Sequence, residues 1–173
     1  MIVNRESLLQ AMPIVNMLKT KEHTETTSYG LAEAGYDIRL RQTIHFTFNE
    51  QGKRIVIIQD PNTGAECVRA GRFTIASAIE EFNLPNNLVG VVHDKSTWAR
   101  KGLSVFNTVL EPGWKGYLTL ELVYHGEDDL LLPAGCGIAQ VVFSKTTDLV
   151  SYGGKYQNQE NKPVAARMDK DHF

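Results

Sequence analysis

From residue 36 onward the chain alternates between short runs rich in β-branched and aromatic residues and short clusters of turn residues. The apolar runs fall at 36–40, 43–48, 54–58, 72–75, 88–92, 103–107, 117–124, 129–132 and 138–144. Asn49-Glu50-Gln51-Gly52, Pro61-Asn62-Thr63-Gly64, Pro85-Asn86-Asn87, Pro112-Gly113 and Pro133-Ala134-Gly135 punctuate them. Many short strands at close spacing, each ended by Gly, Pro or Asn, predict an all-β sandwich or barrel. Residues 76–82 fit either a strand or a short helical turn. Upstream, Leu8, Leu9, Met12, Val15 and Leu18 recur at roughly helical spacing within 4–19. Asn4 is placed to cap a helix there and Pro13 interrupts a long one, so one short helix is expected. The polar stretch 20–35 reads as a loop. Residues 153–173 are polar, Gly-rich at first and charged later, and cannot build a core of their own. With no internal repeat and no convincing linker, 1–173 reads as a single domain ending in a tail.

Composition narrows the field. At 173 residues with 42 % hydrophobic and 22 % charged residues, the chain matches an ordinary soluble domain. The formal net charge of −2 supplies no broad basic field for a nucleic acid, although a local cluster of cations suffices for a small anion. No window approaches 18 consecutive apolar residues, and the first residues lack the basic-then-apolar pattern of a leader, so no membrane partner is expected. Cys67 and Cys136 lie far apart and form no CxxC pair. The expected location is the cytoplasm, with both thiols reduced.

Three segments carry candidate chemistry. Asp94-Lys95-Ser96-Thr97-Trp98-Ala99-Arg100-Lys101-Gly102 packs three cations and two hydroxyls directly after an apolar strand. Hydroxyls, backbone N–H groups and cations together suit phosphate oxygens, and the same residues also suit a solvated turn with a short helix. In Glu111-Pro112-Gly113-Trp114-Lys115-Gly116-Tyr117-Leu118-Thr119-Leu120-Glu121 a turn feeds a strand. Strand alternation puts Tyr117, Thr119 and Glu121 on one face and Leu118, Leu120 and Leu122 on the other, core-facing one. Glu121 then points either to solvent or into a pocket, where desolvation raises its pKa and suits it to proton transfer. The third segment, Tyr152-Gly153-Gly154-Lys155-Tyr156-Gln157-Asn158-Gln159, joins hinge glycines to several hydrogen-bond donors. The zinc deaminase arrangement H-x-E…P-C-x-x-C is missing, as are a P-loop, a GxGxxG and a GxSxG elbow. The five histidines are scattered without ligand spacing.

Taken in order, these segments resemble the dCTP deaminase/trimeric dUTPase family. Ser28-Tyr29-Gly30 with Ala34-Gly35-Tyr36-Asp37-Ile38-Arg39 looks like its first signature, and Lys95-Ser96-Thr97-Trp98-Ala99-Arg100 resembles its phosphate and catalytic segment. The stretch from Leu110 through Glu121, then Pro133-Ala134-Gly135 with Ile138-Ala139-Gln140, then 153–159, resemble the remaining signatures. The resemblance implies a jelly-roll-like distorted barrel with a short N-terminal helix, assembled as a homotrimer with active sites between subunits. It implies hydrolytic deamination of dCTP to dUTP and ammonia without zinc. Glu121 falls on the general base and acid, Arg100 on the arginine that orients the water, and Ser96 on a residue that holds water or phosphate. Lys95 and Thr97, with Trp98 and Ala99 between them and Arg100, form a substrate-binding segment. Tyr152, Lys155 and Gln159 of the tail, and Gln140, fall on further binding positions. Thr119 and Leu120 fall beside the pyrimidine and Glu111 near the deoxyribose. The tail, 153–173, is expected to close over the site, and Mg2+ to arrive on the triphosphate with no protein metal site. Two other readings stay open: a dUTPase or bifunctional enzyme, because Glu111 aligns with a water-activating acid, and a non-catalytic nucleotide-binding homologue.

Overall fold

The computed structural model describes residues 1–168. A two-residue strand, β1 (Ile2–Val3), leads into helix α1 (Arg5–Ala11). Next come β2 (Lys21–His23), β3 (Ser28–Leu31) and β4 (Tyr36–Arg39), then β5 (Thr43–Phe48), β6 (Arg54–Gln59) and β7 (Glu66–Ala70). The long strand β8 (Phe73–Asn83) precedes β9 (Leu88–Asp94), the one-turn helix α2 (Ser96–Ala99), β10 (Leu103–Val105) and β11 (Val109–Leu110). The chain continues through β12 (Lys115–Tyr124), β13 (Leu130–Leu132) and β14 (Gly137–Lys145).

These strands build three antiparallel sheets. One runs β11-β9-β14-β4-β3-β2 with β1 added on β14, a second runs β10-β12-β8, and a third runs β13-β5-β6-β7. The core lies between them. Tyr36, Ile38 and Leu40 from the β4 region, Ile44 and Phe46 from β5, Leu120 and Leu122 from β12, and Val141 and Phe143 from β14 are all buried. The all-β architecture is the one the alternation predicts.

Several expectations need correction. Residues 20–35 are not simply a loop: β2 and β3 lie within them, and β2 is an exposed edge strand whose polar composition hid it. β7 is likewise exposed along its length, so its sequence carries no buried face to read. Residues 76–82 are strand, the middle of β8. Asn4 occupies the position before α1 but makes no side-chain cap; its amide donates instead to the Glu33 carbonyl at 2.8 Å. The Leu face of β12, by contrast, is core as expected: Leu118, Leu120 and Leu122 are all buried. Tyr117 pairs with Glu81 while Thr119 pairs with Ser77, a bulge whose extra residues lie on β8 and leave the β12 alternation intact. Leu118 also borders a cavity that Thr119 and Glu121 line.

Candidate active site

The cavity, about 570 Å³, opens beside the outer face of the β10-β12-β8 sheet. Glu121, Thr119 and Leu118 of β12 form one wall, with Ile75 and Phe73 of β8 beside them. Ile75 is the cross-strand partner of Glu121, so an apolar neighbour shields the carboxylate. Glu121 is half-buried, and desolvation holds its pKa above the usual carboxylate range. Hydrogen bonds from its own backbone and from Thr108 act the other way. This is the environment a proton-transferring acid needs near neutral pH. Glu111 and Thr108 line the same cavity, together with Arg69 of β7.

The tail closes the other side. The Trp114 indole donates to the Tyr156 carbonyl at 2.7 Å, and the Lys115 amide donates to Gln157 Oε1 at 2.8 Å. Gln159 pairs with Gly116 as an isolated parallel bridge, and its carbonyl accepts from the Tyr117 amide at 3.1 Å. Gly116 is required there. Its φ is 128°, and a Cβ would sit 2.5 Å from the Gln159 nitrogen. Thr119 Oγ1 lies 3.3 Å from Gln159 Oε1 and accepts the Val164 amide at 3.0 Å. Tyr152, Tyr156 and Gln159 thus line the cavity, joined by Val164, Ala165 and Ala166, so the tail packs on the domain at these points although it has no core of its own. Residues 169–173 of the expected tail lie outside the described residues.

A second group of the expected residues sits elsewhere. Ser96, Thr97, Ala99 and Arg100 lie on or just after α2 and are exposed, and none of them lines the cavity. Among the described residues no ion pair joins Arg100 to Glu121. The platform beneath α2 is buried and polar. Lys95 Nζ donates to Asp37 Oδ2 at 2.5 Å and to Ser28 Oγ at 3.2 Å, while Gln140 Nε2 donates to Asp37 Oδ1 at 3.0 Å. Trp98, buried, donates its indole N–H to the Gly137 carbonyl at 2.8 Å. Gly137 leaves no room for a side chain, because a Cβ would run into the Ser28 carbonyl. Lys95 and Gln140, both expected at substrate-binding positions, share one carboxylate. Leu120 is core and does not line the cavity. Lys155 is exposed on the tail, 5.7 Å from the Tyr156 ring centre.

Sequence reasoning did not single out Thr108, Arg69 or the pairing of Asp37 with Lys95. Thr108 and Arg69 belong to no compact motif. Asp37 and Lys95 are separated by 58 positions and meet only through the sheet.

Among the described residues no three His, Cys, Asp or Glu side chains converge as metal ligands, and no helix is long and apolar enough to cross a membrane. Both cysteines are free; Cys136 is buried, which pushes its thiol up to about 12.

Fold and cavity together define a β-rich scaffold of three antiparallel sheets, with its carboxylates in one place and its exposed hydroxyls and guanidinium in another. The family model described as dCTP deaminase-like matches residues 8–146, and the chain belongs to that family. A dCTP deaminase of Acidithiobacillus ferrooxidans is 36 % identical over 153 residues, covering 80 % of this chain and 80 % of that protein. A dCTP deaminase of Chlamydia pneumoniae is 34 % identical over 171 residues, covering 88 % of each. The solved 2′-deoxycytidine 5′-triphosphate deaminase of Agrobacterium tumefaciens superposes with a TM-score of 0.54 at 14 % identity, over 82 % of this chain and 47 % of that one, a likeness of fold.

Proposed function

We propose that the protein deaminates dCTP to dUTP and ammonia without zinc, with Glu121 as the group that moves the proton. The observation that carries this reading is the Glu121 carboxylate on an apolar cavity wall, its pKa raised by desolvation. Glu121 takes a proton from a water, and the hydroxide adds to C4 of cytosine. The C4–N4 bond breaks as the proton passes to the leaving nitrogen, and the remaining hydroxyl hydrogen ends on N3 as the C4 carbonyl forms. Thr119 and the backbone of Leu120 border the base, and Glu111 the sugar. Tyr152, Lys155 and Gln159 serve the phosphates from the tail.

Charge supports a site completed by a second copy of the chain. The charged side chains lining the cavity are Arg69, Glu111 and Glu121, an acidic set that cannot hold a triphosphate unaided. The exposed Arg100, Ser96 and Thr97 supply the missing cation and hydroxyls when α2 of a neighbour faces the cavity, as in a homotrimer. An apolar rim fits the same assembly: Phe73, Phe106 and Val109 are 44 %, 53 % and 52 % exposed around the opening. Lys95, Gln140, Trp98 and Ala99 complete the phosphate-side segment. Mg2+ comes with the triphosphate as part of the substrate, held by phosphate oxygens and water.

Glu111 shares the cavity with Glu121, which favours one second reading, a bifunctional enzyme that also cleaves dUTP to dUMP and pyrophosphate. One assay decides. With dCTP and Mg2+, ammonia and dUTP are expected. Pyrophosphate and dUMP in the same tube establish the second activity, and release of neither product overturns both readings.

A further inference from the structure

We infer that Thr108 is a positioning residue for Glu121, a hydroxyl partner that serves the carboxylate in both of its protonation states. The inference rests on Glu121 being the proton-transferring group. Thr108 Oγ1 lies 3.4 Å from Glu121 Oε2 and also 3.4 Å from the carbonyl oxygen of Phe106. A threonine hydroxyl has one hydrogen to give and lone pairs to receive one. With Glu121 ionised, the hydrogen goes to the carboxylate. With Glu121 protonated, the hydroxyl turns its hydrogen to the Phe106 carbonyl and accepts the O–H of the acid. Each state keeps a partner, so neither is trapped, whereas an ammonium or guanidinium in this place would favour the ionised state alone.

The backbone holds this hydroxyl in register. The Phe106 amide donates to the Glu121 carbonyl at 3.0 Å, and the Val92 amide donates to the Thr108 carbonyl at 3.0 Å. Thr108 is thereby fixed between β12 and β9, with its side chain half-buried on the cavity wall. Among the described residues no other side chain hydrogen-bonds the Glu121 carboxylate. The titratable groups that share the cavity are Arg69 on β7, Glu111 after β11, and Tyr152 and Tyr156 of the tail. On either side of Glu121 lie Ile75 from β8 and the backbone of Val105, at the end of β10, and of Phe106 just after it, none of them ionisable. The Thr108 bond opposes the rise that burial imposes on the Glu121 pKa, so its removal moves that pKa further up.

The test compares Thr108→Val, close in shape but without the hydroxyl, and Thr108→Ser, which keeps it, against wild type. Steady-state deamination of dCTP with Mg2+ is followed from pH 5 to 9, and thermal melting checks that each variant is folded. For Thr108→Val we expect kcat to fall about ten- to a hundredfold with KM within about threefold. The acid limb of its kcat/KM profile moves to higher pH. Thr108→Ser restores kcat to within about threefold of wild type and returns the limb. A folded Thr108→Val enzyme with wild-type kcat and an unmoved limb overturns the inference, and so does a Thr108→Ser enzyme as slow as Thr108→Val. Failure of the wild-type protein itself to release ammonia from dCTP overturns instead the assignment of Glu121 on which the inference stands.

Discussion

The β12 cavity and the α2 platform hold most of the residues that matter, and they are built in opposite ways. Around Glu121 the walls are apolar, the carboxylate is partly desolvated, and the chain's own tail seals one side. Around α2 the reactive groups are bare to solvent, while the polar contacts that fix them lie underneath, where Asp37 holds Lys95 and Gln140. The first region can tune a proton but sets a single cation, Arg69, against two carboxylates. The second offers a cation and hydroxyls but has no cavity. A single chain thus carries two unlike halves, which the proposed homotrimer brings together from different copies.

The largest expected effects come from breaking each half separately. Glu121→Gln and Arg100→Met should each lower kcat by about a thousandfold or more, with Glu121→Gln still binding dCTP. Co-refolding the two inactive variants in equal amounts then separates the possible geometries. If each site takes Glu121 from one chain and Arg100 from another, random mixing leaves about a quarter of the sites with both groups intact. Activity near that level is expected. A mixture as dead as its parents means that both groups act within one chain, and the contrast between the halves dissolves.

Next in size is the platform. Asp37 and Lys95 are paired 2.5 Å apart with side chains 4 % and 11 % exposed. Lys95→Met strands a buried carboxylate and should cost about 3 kcal/mol or more in urea unfolding, while Lys95→Met combined with Asp37→Asn recovers much of that loss. The double variant keeps the fold without the pair, so its KM for dCTP reads what Lys95 does for phosphate apart from what it does for α2. A double variant no more stable than Lys95→Met would show that packing, not the buried charge, sets the cost.

The cavity half responds more gently, through its tail. Gly116→Ala places a methyl against the Gln159 backbone in a conformation that an L-residue resists. The tail should lift from β12 while the barrel stays intact. KM for dCTP should rise about tenfold with a smaller change in kcat, and protease should cut within 152–165 faster than in wild type. Unchanged cleavage would mean that the tail is not held through Gly116.

How much of this was legible depended on whether a residue's partner lay nearby in sequence. Strand 43–48 was read to the residue, because one side of it is buried and its alternation survives. β7 was missed because every residue in it is exposed. The placement of Glu121 opposite the core, and of Leu118, Leu120 and Leu122 in it, followed from alternation, but the bulge between Ser77 and Glu81 did not, since its extra residues lie on β8 and leave no mark within β12. The segment 95–100 was legible as a chemical cluster. That it does not line this chain's own cavity was not, because its placement comes from the Asp37, Ser28 and Gly137 contacts under it, supplied by strands distant in sequence.

The smallest effect is the most direct probe of the environment of Glu121. Its pKa is raised in the folded protein, so the native state binds the proton more tightly than the unfolded chain does. The stability from that protonation is fully present below the ordinary carboxylate pKa and is lost as pH rises through the folded value. Glu121→Gln is neutral at every pH and suffers no such loss. Compared with wild type, the variant should therefore gain stability between pH 4 and pH 8, by a small amount because the carboxylate keeps partial contact with solvent. Urea midpoints of both proteins at the two pH values measure it. A variant that instead loses ground as pH rises would mean that the ionised carboxylate is stabilised where it sits, which suits a structural ion pair and not a base at work in a half-dry cavity.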